Sequence, residues 1–165
     1  MKRRSLLALA SLPLAASSWA APAQAGQPVV WPEVSLLDGS RFGPAQAAGQ
    51  AVVVVFWSTT CPFCRRHNQH VEKLRRAMAG RGLVVLGVAR DRDAAKVQAY
   101  ALQQGYGFAI TLDHAPMRAA LASRNVIPLT VTVDRQGRLR EAIPGEMFEE
   151  DVMDLQKLAA AEVRS

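Results

Sequence analysis

The only two cysteines of this 165-residue chain, Cys61 and Cys64, frame Pro62-Phe63 and so stand one helical turn apart. At ~1.5 Å of rise per residue their Cα atoms would be roughly 5 Å apart on a helix, inside the span of about 4.4–6.8 Å that a disulfide accepts. The pair could therefore cycle between dithiol and disulfide. A bridge closing a loop of about four residues constrains the unfolded chain least in the chain-entropy picture, which makes it a poor staple and leaves it suited to reversible redox work. Alone, Cys-x-x-Cys reads equally as half of a zinc site. The histidines keep that open: Cys61, Cys64, His67 and His70 fall at intervals of three, with donor types that suit zinc or copper. Steps of three turn each donor by about −60° around a helix, which puts Cys61 and His70 on opposite faces and ~13 Å apart along the axis. Four such ligands do not converge on one ion, and a partial site of Cys61, Cys64 and His67 is what remains of the metal alternative.

The flanking elements favour redox chemistry. Ala51-Val52-Val53-Val54-Val55-Phe56-Trp57 is a continuous β-branched and aromatic run, the pattern of a central parallel strand buried on both faces. A polar turn, Ser58-Thr59-Thr60, follows, and from Pro62 to about Ala79 the spacing predicts a helix. Cys64, His67, Val71, Leu74 and Met78 share its apolar stripe, while Arg65, Arg66, Glu72, Lys73, Arg75 and Arg76 take the other face. Pro62 falls in the first turn, where its missing N–H does no harm. Unpaired N–H groups and the helix dipole would favour negative charge on Cys61, and a thiolate is the form that attacks a disulfide. Arg65 and Arg66 would add positive charge. Cys64, deeper on the apolar face, would be the resolving thiol.

The segment Phe56-Trp57-Ser58-Thr59-Thr60-Cys61-Pro62-Phe63-Cys64 resembles the active-site segment of thioredoxin-fold proteins, most closely the periplasmic TlpA/ResA-like thiol-disulfide oxidoreductases. Trp31 to Phe42 is similar to that family's N-terminal hairpin, and Ile127-Pro128 with the strand and Gly turn that follow, through Leu139, is similar to its proline-strand motif. Together these cover about residues 29–160. The resemblance implies a thioredoxin-like three-layer α/β/α sandwich with a central mixed sheet, an N-terminal hairpin and a strand-helix insertion. It implies an enzyme without a cofactor that exchanges its dithiol or disulfide with cysteines of partner proteins, in the reductive direction, and is recycled by an upstream membrane or periplasmic redox partner. Cytochrome c maturation is the family's commonest theme, and nothing in this chain is specific for it.

By itself Pro128 would be an ordinary strand-initiating proline. The resemblance implies instead a cis proline lying against the cysteines, with Ile127 offering its backbone to substrate. Trp57, Pro62, Phe63 and Ile127 would then form a mostly apolar docking groove. Many relatives keep a buried acid at the position of Val55 or a glutamate at that of His67, and this chain has neither. An inward His67 could exchange a proton with Cys64, and as an imidazolium it would lower the cysteine pKa values. The other reading of His67 is a structural histidine bonded to backbone. Thr60 stands where many relatives have a second tryptophan. A peroxidase reading, suggested by Thr59-Thr60-Cys61-Pro62, lacks the usual proline-threonine turn, and a redox-idle binding module would not need both cysteines.

The chain opens on Lys2-Arg3-Arg4, an apolar run from Leu6 to about Ala16, and small residues with Ala-x-Ala-like sites at Ser18-Trp19-Ala20 and Ala23-Gln24-Ala25. That is the pattern of a secretory signal peptide over residues 1–25, cleaved near 20 or 25, too short to span a bilayer. The twin-arginine character of Arg3-Arg4 is loose. Residues 26–165 would form one thioredoxin-like domain in the periplasm, expected to act as a monomer. Lys2, Arg3 and Arg4 account for three of 20 basic residues, so 17 face 14 acidic ones and the exported net charge is about +3. No basic stripe with interleaved aromatics suggests nucleic acid.

The remaining pattern predicts a hairpin turning at Asp38-Gly39 and strands over 83–89, 108–112, 129–133 and 139–143. It predicts helices over 93–104, 115–123 and 148–161, with Val152, Leu155 and Leu158 of the last pointing inward.

Overall fold

A computed structural model describes residues 22–122 and 124–160. The basic and apolar parts of the expected leader, with its Ser18-Trp19-Ala20 site, fall outside them, as do Ser123 and Ala161, the expected helix ends. A short antiparallel hairpin comes first, β1 (Val34–Ser35) and β2 (Arg41–Phe42), with Val34 opposite Phe42. Gly39 sits at φ 86° in its turn, a conformation that glycine adopts without the Cβ clash. A one-turn helix not foreseen from the sequence, α1 (Pro44–Ala47), leads into β3 (Ala51–Trp57), every residue of which is buried.

After β3 come α2 (Pro62–Ala77), β4 (Leu83–Ala89), α3 (Ala94–Gln104), β5 (Ala109–Thr111) and α4 (His114–Leu121). The chain closes with β6 (Leu129–Val133), β7 (Leu139–Pro144), α5 (Glu149–Asp154) and α6 (Lys157–Ala160). The sheet order is β5-β4-β3-β6-β7; β3, β4 and β5 are parallel, and β6 and β7 add antiparallel. Side chains alternate across β3 with a period of two. Val53, Val55 and Trp57 face a core shared with α2, α3 and α5, and Val52, Val54 and Phe56 face one shared with α4 and the hairpin. Helices therefore cover both faces, and the α3-β5 unit is the insertion that widens the sheet beyond β4. This is the thioredoxin-like mixed-sheet sandwich.

Two expectations are corrected. The predicted 148–161 helix is two short helices, because Leu155 and Gln156 donate to carbonyls three residues back, Val152 and Met153 at 3.2 Å each. That tighter turn shifts the phase: Val152 and Ala159 are buried, while Leu155 and Leu158 are half-buried. Glu72, expected on the solvated face of α2, is buried. It accepts from Arg75 Nε (3.0 Å), Arg76 Nε (2.8 Å) and the Gly107 amide (2.8 Å), bridging α2 to the loop before β5. Burial raises its pKa, and the bonds from Arg75, Gly107 and Arg76 outweigh this and hold it below the usual value.

The N-terminal segment belongs to the fold as well. Ala23 N–H donates to Ala120 C=O, Gly26 N–H to Leu139 C=O, Leu139 N–H to Gln27 C=O and Val29 N–H to Gly137 C=O, all at 2.7–3.0 Å. Among the described residues no helix is long and apolar enough to cross a membrane.

Candidate active site

β3 ends at Trp57, a polar turn follows, and α2 begins at Pro62 with Cys61 as its N-cap. The Cys64 N–H donates to Cys61 Sγ at 3.2 Å, so this sulfur takes the place that a capping oxygen holds elsewhere. Cys61 and Cys64 are bonded as a disulfide with Cα atoms 5.2 Å apart, matching the spacing expected for one helical turn. Cys64 is fully buried, whereas Cys61 is half-exposed. The difference follows from phase: Cys64 lies on the stripe with His67, Val71 and Leu74, and Cys61 precedes the helix.

The Ile127–Pro128 peptide is cis, as the resemblance implies. β3 and β6 pair with Phe56 opposite Leu129, and one step further along the ladder brings Pro128 and Ile127 beside the end of β3. Ile127 joins Ser58, Thr60, Cys61, Arg90 and Asp91 around an open cleft of about 420 Å³. Phe63 and Pro62 are exposed on the first turn of α2, with the Arg66 guanidinium 5.0 Å from the centre of the Phe63 ring.

The cleft differs from the apolar groove expected. Trp57 is fully buried, packs on Tyr100 and Tyr106 at ring distances of 5.9 and 5.7 Å, and offers no surface to the cleft. Gly87 on β4 makes room for it: a Cβ there would come within 3.0 Å of Trp57 Nε1 and 2.7 Å of Phe108. Two cleft residues, Arg90 and Asp91, escaped the sequence reading. Asp91 accepts from the Thr59 amide at 3.0 Å and from its hydroxyl, tying the turn before Cys61 to the end of β4. Their signal was position, since the carboxyl ends of adjacent parallel strands are where such sheets place ligand-binding groups.

His67 is fully buried, as its phase predicts. Its Nδ1 accepts from the Met147 amide at 3.3 Å, and its Nε2 lies 2.9 Å from Thr130 Oγ1. An amide nitrogen only donates, so the ring proton sits on Nε2 and is given to Thr130. Burial above all, with His70 nearby and only partial opposition from Glu146, pushes the His67 pKa down to about 4. The imidazolium expected from the sequence is therefore replaced at neutral pH by a neutral ring with no free lone pair for the Cys64 proton. Arg66 is likewise committed, forming two bonds to Glu146 at 2.8 and 2.6 Å. His70 Nδ1 turns to Glu149 at 3.3 Å, away from the cysteines. Among the described residues no three His, Cys, Asp or Glu side chains gather as metal ligands.

Residues 24–159 match the Redoxin family. The chain is 26% identical over 140 residues to the thiol-disulfide oxidoreductase ResA of Halalkalibacterium halodurans, covering 85% of this chain and 80% of that one. It is 29% identical over 128 residues to the thioredoxin-like protein YneN of Bacillus subtilis, covering 73% of each. Among solved structures, a thioredoxin-family thiol:disulfide interchange protein from Chlorobium tepidum superposes with a TM-score of 0.75 at 24% identity, covering 86% of this chain and 99% of that one. A secreted thiol-disulfide isomerase from Corynebacterium glutamicum superposes with a TM-score of 0.73 at 23% identity, covering 81% and 86%. A disulfide at a strand-to-helix junction, a cis Ile127–Pro128 peptide whose Ile127 lines the same cleft and a family match across nearly the whole described chain agree: the chain belongs to the Redoxin family, as a TlpA/ResA-like thiol-disulfide oxidoreductase of thioredoxin fold.

Proposed function

We propose that the protein is exported to the periplasm, where it reduces disulfides of partner proteins, with Cys61 as nucleophile and Cys64 as resolving thiol. The observation that carries this is the asymmetry of the pair: Cys61 opens on the cleft beside Ile127, and Cys64 is sealed beneath it. In the dithiol form the Cys61 thiolate attacks one sulfur of a partner disulfide. The new S–S bond forms as the partner's own breaks, and the leaving partner sulfur takes up a proton. Cys64, deprotonated in turn, attacks Cys61 Sγ and displaces the second partner sulfur, which is also protonated. The partner gains two electrons and the enzyme is left with the Cys61–Cys64 disulfide. A dithiol on an upstream redox partner returns the electrons by the reverse steps.

Ile127 and Pro128 would position the substrate, with Pro62 and Phe63 as its exposed apolar rim. His67 acts as a positioning residue that holds Thr130 and Met147 behind the pair. The reductive direction is supported by what stabilises a Cys61 thiolate. With His67 neutral and Arg66 bonded to Glu146, two of the expected cations are withdrawn and the helix N-terminus, Arg65 and Arg90 remain, and a thiolate less favoured than in strong oxidants keeps the pair reducing. Equilibration with glutathione buffers tests this: we expect a potential of roughly −230 mV or lower, and one near about −120 mV, that of a strong oxidant, would overturn the direction.

Export is supported by the signal pattern of residues 1–20. Cleavage after Ala20 fits the fold better than cleavage after Ala25, since it spares the Ala23 bond to Ala120. N-terminal sequencing of the exported protein should begin at Ala21; a start at Gly26 would overturn that site.

A further inference from the structure

Beside the cysteine cleft lies a second, larger cavity of about 870 Å³, lined by Arg90, Asp91, Arg92, His114 and Arg118 among others. Arg90 and Asp91 line both hollows, so the two adjoin at the end of β4. The larger one is electropositive. Its single carboxylate, Asp91, is already engaged by the amide and hydroxyl of Thr59. Among the described residues Arg90, Arg92 and Arg118 have no carboxylate within ion-pair distance; on α2, Arg66, Lys73, Arg75 and Arg76 do and Arg65 does not. His114 registers the same field, its pKa held below the ordinary value by burial and then by Arg118 and Arg90. Three guanidiniums against one carboxylate leave an excess of positive charge that a further anion would offset, and guanidinium pairs with carboxylate in a bidentate fork.

We infer that this cavity is a specificity subsite for the protein substrate, receiving an extended segment with aspartate or glutamate side chains beside the cysteine that reacts with Cys61. The inference rests on the disulfide-exchange reading of the Cys61 cleft and adds which partners that cleft prefers. Carboxylates on Arg90, Arg92 and Arg118 would steer the encounter and fix the register of the segment, so the gain belongs to association rate and should weaken with salt.

The test uses peptides with one cysteine, held as its mixed disulfide with 2-mercaptoethanol and flanked on both sides by Glu-Glu, Gln-Gln or Lys-Lys. Rates of their reduction by the dithiol protein are compared as ratios, so a general loss of activity in a variant cancels. We expect the Glu peptide to react at least about 10-fold faster than the Gln peptide at low ionic strength, with the ratio falling several-fold near 0.5 M salt. Arg92→Glu and Arg118→Glu should bring the ratio to about one or below, and Arg118→Lys should keep most of it. Arg135→Glu is the control for net charge, because Arg135 bonds Gly49 C=O at the opposite end of β3, and it should leave the ratio unchanged. A ratio within about twofold in the wild type, insensitive to salt, or lowered equally by Arg135→Glu would overturn the subsite. Failure to reduce every peptide, and 2-hydroxyethyl disulfide as well, would overturn the disulfide-exchange reading and the subsite with it.

Discussion

His67 illustrates how a residue's neighbours decide its charge. A histidine on the cysteine stripe suggests a cation, but the Met147 amide points a hydrogen at Nδ1 and Thr130 takes the proton on Nε2. Protonating Nδ1 would set two donors against each other inside a buried site. The consequence for stability has a definite sign. The folded pKa of about 4 lies below the reference value of 6.5, so above pH 6.5 neither state gains a proton. Between about pH 6.5 and 4 the unfolded chain takes one that the folded chain refuses. Unfolding free energy of the oxidised protein should therefore fall as pH drops through that window, by roughly 3 kcal/mol. His114, also depressed, acts in the same direction. Denaturant titrations of wild type and His67→Gln at several pH values check this: the variant should be less stable at pH 7 but show a much shallower slope, and an unaltered slope would refute the assignment.

At the scale of elements, α2 both presents the cysteines and is held at its middle by Glu72. This carboxylate ties Arg75, Arg76 and the Gly107 amide together, fixing α2 to the loop that enters β5. Glu72→Ala would leave the Gly107 N–H, on an exposed loop residue, without its partner and two arginines without their anion. Each lost bond to a charged group is worth about 1.5–3 kcal/mol, and partial rehydration of the arginines returns some of it, so we expect about 2–4 kcal/mol of destabilisation. Chemical denaturation measures it, and a loss under about 0.5 kcal/mol would mean the clamp is solvated. The strand-helix order was legible in the sequence because β3, β4 and α2 carry strong apolar periodicity. Glu72 was not, since its burial depends on the α3–β5 connection coming across α2. Trp57 was placed in the groove although its phase on β3 points it into the core with Val53 and Val55. The break at Leu155 was hidden because the apolar spacing of residues 152–159 suits one helix as well as two.

At the scale of the whole molecule, the N-terminal segment and the distant β6-β7 hairpin complete what the β3-α2 junction begins. Residues 23–29 run along β7 and reach α4 through backbone bonds, contacts that no local pattern could announce. A chain starting at Val30 should lose about 2–6 kcal/mol relative to one starting at Ala21, four hydrogen bonds at about 0.5–1.5 kcal/mol each. Its rate with 2-hydroxyethyl disulfide should stay nearly unchanged, because the lost contacts lie away from Cys61. Equal unfolding midpoints would show the segment to be ornamental. The cis peptide at Pro128, by contrast, was legible through resemblance, and the β3–β6 ladder brings it to the end of β3, where Ile127 borders the Cys61 cleft. The central claim, that exposed Cys61 attacks while buried Cys64 resolves, is tested most directly by trapping. Incubated with a disulfide-bearing protein substrate, Cys64→Ser should accumulate a covalent mixed disulfide, detected by intact mass and released by dithiothreitol, and Cys61→Ser should form none. An adduct on Cys61→Ser, with none on Cys64→Ser, would contradict the account.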